Sequence, residues 1–372
     1  MNYGKLKLDL IRKGVYIPKE FRKASEIVGG IHLCEPGEEI ALALAENLIA
    51  KAIIQSDPAG GMPLTVENGS VFLHHEEDRF EVAVIPLPVF IKEQLNQRTP
   101  LSENVCMDGY CLNIFIRALG KEKRLSLGEE EVLSVVKLAF EEGVADLVQI
   151  NMDYCEESDR GFERLAPMVK AIKKKFKTFI GLKGFPPVER RTIDLMYAAG
   201  VDLLDFPLEG FAGSKEMQDL LPSHQVHTAL EYAAQVFPQG TVWTELVPGS
   251  GISGSTTETI AHLVSKGIIP LLKLQPASVV TGKEFESLLE SVQFLEKITQ
   301  QKKLPLKWLY PNCRTVTPMD TRYYTQDSKS AKLTAKPVYR SMLSKKASEG
   351  FAAIRRKLRI KDVSDSYESA GL

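Results

Sequence analysis

The middle of the chain alternates between short apolar runs and longer segments with helical spacing. Apolar runs predict six strands, over residues 110–116, 146–152, 178–182, 201–206, 241–247 and 268–274. Amphipathic spacing predicts helices between them, over residues 129–142, 165–176, 192–199, 227–236 and 256–266. Gly143, Gly200 and Gly267 follow three of these helices, as expected of C-terminal caps. The repeated strand–helix order predicts parallel strands with helices outside them.

Polar residues gather just after the predicted strands end, including Asn151, Asp153, Lys183 and Glu209. Nearly continuous apolar strands fit a parallel sheet that is buried on both faces. A (β/α) barrel carries its chemistry on the rim formed by the C-terminal strand ends. We therefore predict an α/β fold in which residues 101–312 form a partial parallel (β/α)6 barrel of the TIM type.

Residues 1–100 have a different pattern and predict a small α+β domain. We expect a helix over Glu38–Lys51 and a strand over Arg79–Ile85, where apolar residues alternate. Asn68-Gly69 lies between apolar segments and predicts a hairpin turn.

The C-terminal region, residues 313–372, differs in charge from the rest. It has 13 Lys and Arg against 6 Asp and Glu, a balance of +7, whereas the preceding residues carry 34 against 42. Thr315–Ala335 is poor in large aliphatic residues and predicts an extended linker. Residues 337–360 predict a basic amphipathic helix. This helix could dock on the acidic body of the protein, on an acidic protein partner or on a membrane surface, and we predict a protein partner.

Composition narrows the function classes. The 372 residues are 44% hydrophobic with a formal charge of -1, which gives no overall basic footprint for nucleic acid. No apolar run approaches the roughly 20 residues of a transmembrane helix, and the charged N-terminus lacks the apolar region of a secretory signal. Five cysteines do not make a disulfide framework in a chain of this length. We expect a cytoplasmic protein.

Two lysines and one glycine-rich turn are candidates for chemistry. Lys273 lies in the sixth predicted strand, where desolvation would lower its pKa and favour formation of a Schiff base. Lys183 directly follows the third predicted strand. Alternatively, Lys273 is the ion-pair partner of Glu209 or Glu245 across the barrel. The turn that begins Gly249-Ser250-Gly251 precedes a helix and could receive a carboxylate or phosphate on its backbone N–H groups, or be a plain cap.

Three segments carry a resemblance to a known family: residues 159–165, residues 198–209, and the turn at 249–251 with the helix and strand after it. Together they resemble the radical S-adenosylmethionine (radical SAM) superfamily, nearest its biotin-synthase-like branch. That family places a C-x3-C-x2-C loop after the first strand of a partial (β/α)6 barrel, and the loop holds a [4Fe-4S] cluster that binds SAM. The resemblance implies a small-molecule site on the rim, with SAM as its ligand, formed by Asn151, Asp153, Glu209, Glu245, Gly249, Ser250 and Gly251.

The chain departs from that family at the cluster loop. Residues 117–126 follow the first predicted strand and contain no cysteine, whereas a [4Fe-4S] cluster needs thiolate ligands. We expect a barrel that has lost its cluster and acts as a binding, accessory or assembly subunit. One alternative is an active radical SAM enzyme whose cluster is held by Cys106, Cys155 and Cys313. The other is a cluster-free lyase or aldolase that uses Lys273. The residues by themselves assign no cofactor.

Overall fold

The structure is a computed structural model of the chain. It describes residues 2–18, 37–45, 48–85, 87–91, 103–109, 111–119, 124–176, 178–208, 221–248, 255–274, 282–306 and 308–325. These residues form a closed β-barrel, an eight-stranded sheet, a two-stranded hairpin and the helices that accompany them.

The closed barrel lies in the N-terminal region and has the strand order β1-β3-β2-β6-β5-β4. Its strands are β1 (Val15–Tyr16), β2 (Glu39–Ala45), β3 (Leu48–Gln55), β4 (Met62–Glu67), β5 (Ser70–His75) and β6 (Asp78–Ile85). Helix α1 (Tyr3–Lys13) precedes them, and the Asn2 side chain caps it by accepting hydrogen bonds from the Gly4 and Lys5 backbone. The predicted hairpin is confirmed, because Asn68 and Gly69 join β4 to β5 with positive φ values of 51° and 80°.

The helix expected over Glu38–Lys51 is wrong, since β2 and β3 are antiparallel strands. Along β2, Ile40, Leu42 and Leu44 belong to the main core and alternate with alanines. This period of two is the signal of a strand. The high helix propensity of Ala and Leu conceals it, and the pairing of β2 with β3 and β6 decides the outcome.

The eight-stranded sheet has the order β16-β15-β14-β13-β12-β11-β8-β7. Its strands are β7 (Val105–Asp108), β8 (Cys111–Ile116), β11 (Leu147–Met152), β12 (Phe179–Lys183), β13 (Leu203–Asp205), β14 (Val242–Leu246), β15 (Ile269–Lys273) and β16 (Thr315–Val316). The six central strands pair in parallel, which confirms the six predicted strands and their direction. β7 and β16 pair antiparallel at the two edges.

The sheet curls so that its two edges approach each other. The Cys313 backbone, just before β16, donates a hydrogen bond of 3.0 Å to the Asp108 carboxylate at the end of β7. The Phe179 ring of β12 lies 5.4 Å from the ring of Trp308, which precedes the same edge. The result is a barrel-like α/β sheet with an enclosed concave side, called the lumen below.

Helices alternate with the parallel strands, as predicted. They are α2 (Glu129–Glu141), α3 (Phe162–Phe176), α4 (Arg190–Ala199), α5 (Ser223–Val236), α6 (Thr256–Ser265) and α7 (Gly282–Lys302). Gly200 ends α4 with a φ of 104°, and a Cβ there would lie 3.1 Å from Lys173 Cγ, so both conformation and space favour glycine. The predicted glycine caps at Gly143 and Gly267 also have positive φ. Among the described residues, no helix is long and apolar enough to cross a membrane.

The linker expected over Thr315–Ala335 is wrong for its described part. Residues 315–325 contain β16 and helix α8 (Arg322–Thr325), and most of them are buried. The buried Lys7 ammonium of α1 donates hydrogen bonds to the Asn312 carbonyl at 2.7 Å and the Thr315 carbonyl at 2.9 Å, and it lies 3.2 Å from the Asp320 carboxylate. This buried charge fixes the segment against the N-terminal helix. The predicted basic helix over 337–360 lies outside the described residues, so its docking role stays a prediction.

Candidate functional site

The lumen has an apolar floor and a polar layer above it. Side chains alternate along a strand, so every second residue faces the lumen. The floor is a cluster of buried residues, Cys111, Leu147, Phe179, Leu203, Trp243, Ile269, Leu271, Trp308, Leu309 and Tyr310. Two positions beyond six of these, toward the C-terminal strand ends, stand Asn113, Gln149, Gly181, Asp205, Glu245 and Lys273. The change from apolar to polar within one strand places hydrophilic groups inside the fold.

A cavity of about 560 Å³ occupies the lumen. This is within the range of small-molecule sites, about 300–1,000 Å³. The polar layer lines it from one side, and Cys106 and Asp108 of β7 line it near the sheet edges. Glu39 and Lys51 of the N-terminal barrel also reach it, so this barrel and the eight-stranded sheet together form its wall.

One wall of the cavity is polar but uncharged. On β8 and β11, Asn151 Nδ2 donates to Asn113 Oδ1 at 3.2 Å, and Gln149 Nε2 donates to Asn151 Oδ1 at 3.4 Å. These bonds hold the carboxamides in fixed orientations. Phe115 lines the cavity at the end of β8 and is 37% exposed. An exposed ring beside ordered amides suits contact with a flat polar ligand.

The opposite wall is charged. Lys183 of β12 lies between two carboxylates: its ammonium is 3.4 Å from Asp205 Oδ2 and makes a short ion pair with Glu245 Oε1. The second oxygen of Glu245 is 3.6 Å from the Lys273 ammonium. Asp205 and Glu245 are 4% and 6% exposed. The pairing of Lys273 with Glu245 that the sequence allowed is thus confirmed.

Burial and neighbouring charges shift the pKa values of Asp205, Glu245 and Lys183 in different directions. Burial raises the pKa of Asp205 to about 6, although Lys183 opposes that shift. Burial alone would raise the pKa of Glu245, but Lys183 and Lys273 outweigh it and lower the pKa. Burial would also lower the pKa of Lys183, but Asp205 and Glu245 raise it above its usual value. Lys183 is therefore held as an ammonium and does not offer a neutral amine.

The structure brings some of the candidate residues together and leaves others apart. Asn151, Lys183, Glu245 and Lys273 all line the cavity. Asp153 does not: it is exposed beyond the end of β11, with an oxygen 3.4 Å from Arg117 Nε. Glu209, Gly249, Ser250 and Gly251 lie outside the described residues.

The three candidate cluster cysteines do not converge. Cys106 lines the cavity, and Cys313 is buried against Ala43 and Ile49 of the N-terminal barrel. Cys155 follows β11, where its thiol lies 3.6 Å from Glu157. Within the described part of the chain, no group of three or more His, Cys, Asp or Glu could hold a metal ion. These three thiols therefore do not fit a [4Fe-4S] cluster.

Residues 117–126, the segment expected in place of the cluster loop, begin and end with two short paired strands. β9 (Ala118–Leu119) pairs antiparallel with β10 (Arg124–Leu125). The Ser126 backbone donates to the Arg117 carbonyl at 2.8 Å, and the Arg117 backbone donates to the Ser126 hydroxyl at 3.0 Å. Backbone pairing thus holds the base of this segment together.

Sequence reasoning missed Asp205, Asn113 and Gln149. Asp205 lies in a run, Val201–Phe206, whose apolar residues mark it as a core strand. The missed signal is again a period of two, which puts Asp205 on the same face as Leu203 of the floor. A polar residue two positions after a floor residue recurs on β8, β11, β13, β14 and β15, and that recurrence could have located the lumen.

Comparisons with known proteins assign no family. No family model matches the chain, and no curated protein matches it. Among solved structures, a dihydropteroate synthase from Coxiella burnetii in complex with pteroic acid aligns at 15% identity and a TM-score of 0.28, covering 58% of this chain and 90% of that one. The Mycobacterium tuberculosis protein Rv1207 aligns at 16% identity and a TM-score of 0.25, covering 53% and 85%.

Proposed function

We propose that this chain binds a small polar organic molecule in the lumen of a partial (β/α)6 barrel, and that it does so without an iron–sulfur cluster. In this proposal the protein is a ligand-binding or accessory subunit. The resemblance to radical SAM enzymes supplies the first ligands to test, SAM and S-adenosylhomocysteine.

The charged wall of the cavity carries the proposal. Burying ionised groups costs free energy unless they are paired, and a hydrophobic core of equal volume serves stability at least as well. Here four charged groups, Lys183, Asp205, Glu245 and Lys273, line one wall of a cavity instead of packing into a closed core. Such an arrangement, with shifted pKa values in a cleft, is typical of functional sites.

The two alternatives are supported less well. A cluster on Cys106, Cys155 and Cys313 would require thiolates from separate parts of the fold to meet. Schiff-base chemistry at Lys273 needs an amino group that is available to attack a carbonyl, whereas that group forms an ion pair of 3.6 Å with the Glu245 carboxylate. The proposal therefore assigns Lys273 to ligand binding.

Gly181 allows a direct test by filling the lumen. It pairs with Gln149 in the sheet, and a Cβ there would lie 3.7 Å from Gln149 Cγ and 3.8 Å from Leu147 Cδ1. Gly181→Ala therefore fits without displacement. We expect the side chain of Gly181→Leu to reach the cavity, because Gly181 lies on the same face of β12 as the cavity-lining Lys183, and its Cβ would contact the cavity-lining Gln149 and Leu147. Calorimetric titration with SAM and S-adenosylhomocysteine should give heat for the wild type and Gly181→Ala and none for Gly181→Leu. Equal heats in all three proteins would place the ligand elsewhere.

A further inference from the structure

Asp205 lines the cavity, and one oxygen of its carboxyl group is left without a hydrogen-bond partner by the described residues. Its Oδ2 lies 3.4 Å from the Lys183 ammonium. Its Oδ1 is buried and has no hydrogen-bond partner among the described residues. A buried acceptor without a partner is costly, so such groups usually meet a ligand or an ordered water. A hydrogen-bond donor on the ligand would satisfy this oxygen.

Lys273 offers the complementary group. Lys183 already forms ion pairs with two carboxylates, whereas Lys273 forms an ion pair with one carboxylate of the described residues, that of Glu245 at 3.6 Å. The Lys273 side chain is 40% exposed and lines the same cavity. An ammonium has three N–H donors, so Lys273 retains capacity for an anionic group.

The charge balance of this wall selects the ligand class. Two lysines and two carboxylates sum to zero, so a ligand end with a net charge would leave one charge uncompensated beside this wall, in a partly desolvated space. A zwitterionic end adds a positive group for Asp205 and a negative group for Lys273 without changing that sum.

Resting on the proposed function, we propose that Asp205 anchors a basic nitrogen of the ligand while Lys273 receives its carboxylate, so that the lumen takes zwitterions of the amino-acid type. Binding is then linked to the ionisation of Asp205, because an ammonium group prefers the carboxylate to the neutral acid. The charged groups facing Asp205 are Lys183 of β12, Glu245 of β14 and Lys273 of β15. The raised pKa of Asp205, about 6, agrees with this linkage and places it in an accessible pH range.

The test compares three kinds of probe by calorimetric titration. S-adenosylhomocysteine carries an amino-acid end and a nucleoside, 5′-methylthioadenosine lacks the amino-acid end, and the free amino acids lack the nucleoside. Each is titrated at about pH 5 and about pH 7.5, on either side of the Asp205 transition. The proteins are the wild type, Asp205→Asn, Lys273→Gln and the control Asp78→Asn, which changes an exposed residue at the β5–β6 turn.

We expect S-adenosylhomocysteine or a free amino acid to bind the wild type roughly tenfold more tightly at the higher pH, since one pKa unit corresponds to a tenfold change in ionised fraction. Asp205→Asn should lose this pH dependence and bind at least about tenfold more weakly. Lys273→Gln should bind more weakly but keep the pH dependence, and Asp78→Asn should match the wild type.

Three results would overturn the inference. The first is methylthioadenosine binding as tightly as S-adenosylhomocysteine, which would leave the proposed function standing with a nucleoside as the recognised part. The second is that ligand binding by Asp205→Asn keeps the pH dependence of the wild type and that Lys273→Gln binds with wild-type affinity. In that case the charged groups of the ligand contact other residues. The third is the absence of heat from every probe, which would remove the proposed function as well.

Discussion

The buried ammonium of Lys7 provides the strongest test of how the N-terminal and C-terminal segments are held together. Lys7 is 0% exposed and makes three polar contacts, two with carbonyls before and within β16 and one with Asp320. Lys7→Met keeps the length and apolar character of the side chain but removes the charge. Breaking one side of a buried ion pair costs about 3–5 kcal/mol, because the partner charge stays buried. We expect that loss in the free energy of unfolding.

Urea denaturation followed by tryptophan fluorescence measures this change, since Trp243 and Trp308 lie in the floor of the lumen. Lys5→Met is the matched control, because Lys5 is an exposed lysine of the same helix and its loss should cost less than about 0.5 kcal/mol. Adding Asp320→Asn to Lys7→Met should restore part of the stability by removing the orphaned carboxylate. A Lys7→Met protein within about 1 kcal/mol of the wild type would refute this reasoning.

Three further predictions concern the lumen and the N-terminal barrel. The pKa of Asp205 is about 6 in the folded state and 3.8 in the unfolded chain, so the folded protein holds this proton more tightly. The contribution of Asp205 to the free energy of unfolding should therefore fall by up to about 3 kcal/mol as the pH rises from about 3.8 to about 6. Urea midpoints measured across this pH range should show the decrease in the wild type, and Asp205→Asn should remove this contribution. Glu245→Gln removes a like charge beside Asp205 and should lower the pKa of Asp205, measured by carboxyl carbon NMR; an unchanged pKa of Asp205 would contradict the coupling. Gly61→Ala should lower the melting temperature, because a Cβ there would lie 2.7 Å from the Val15 carbonyl carbon where β1 pairs with β4, and a neutral result would mean the backbone there shifts freely.

The sequence predicted the parallel sheet well because its signals were local. The runs that became β8, β11, β12, β13, β14 and β15 are bounded by turn residues, and Gly143, Gly200 and Gly267 mark helix ends by their conformational freedom. Apolar runs and helix-ending glycines can be recognised from neighbouring residues alone, without knowledge of distant contacts.

The errors arose where distant partners decide the structure. Residues 38–51 have the composition of a helix, but pairing within the closed barrel makes β2 and the first part of β3 strands. Residues 315–325 lack large aliphatic side chains, and their order depends on Lys7, which is more than 300 positions away in the chain. A local reading of composition could not detect either contact.

The candidate site was predictable only where a local signal, a charge within or beside an apolar run, marks its residues. Lys183, Glu245 and Lys273 stand out as charges within or beside apolar runs. Asp205 is also such a charge, but its role depends on an oxygen left open by the packing of neighbouring strands, which the sequence does not display.

A ligand site in the lumen is tested most directly by comparing the molecules that the wild type, Gly181→Ala and Gly181→Leu retain from a metabolite extract, measured by mass spectrometry after equilibrium dialysis. We expect the wild type and Gly181→Ala to enrich at least one small molecule with a zwitterionic end and Gly181→Leu to enrich none, while all three proteins unfold at similar urea concentrations. Identical metabolite profiles for the wild type and Gly181→Leu would contradict a ligand site in the lumen.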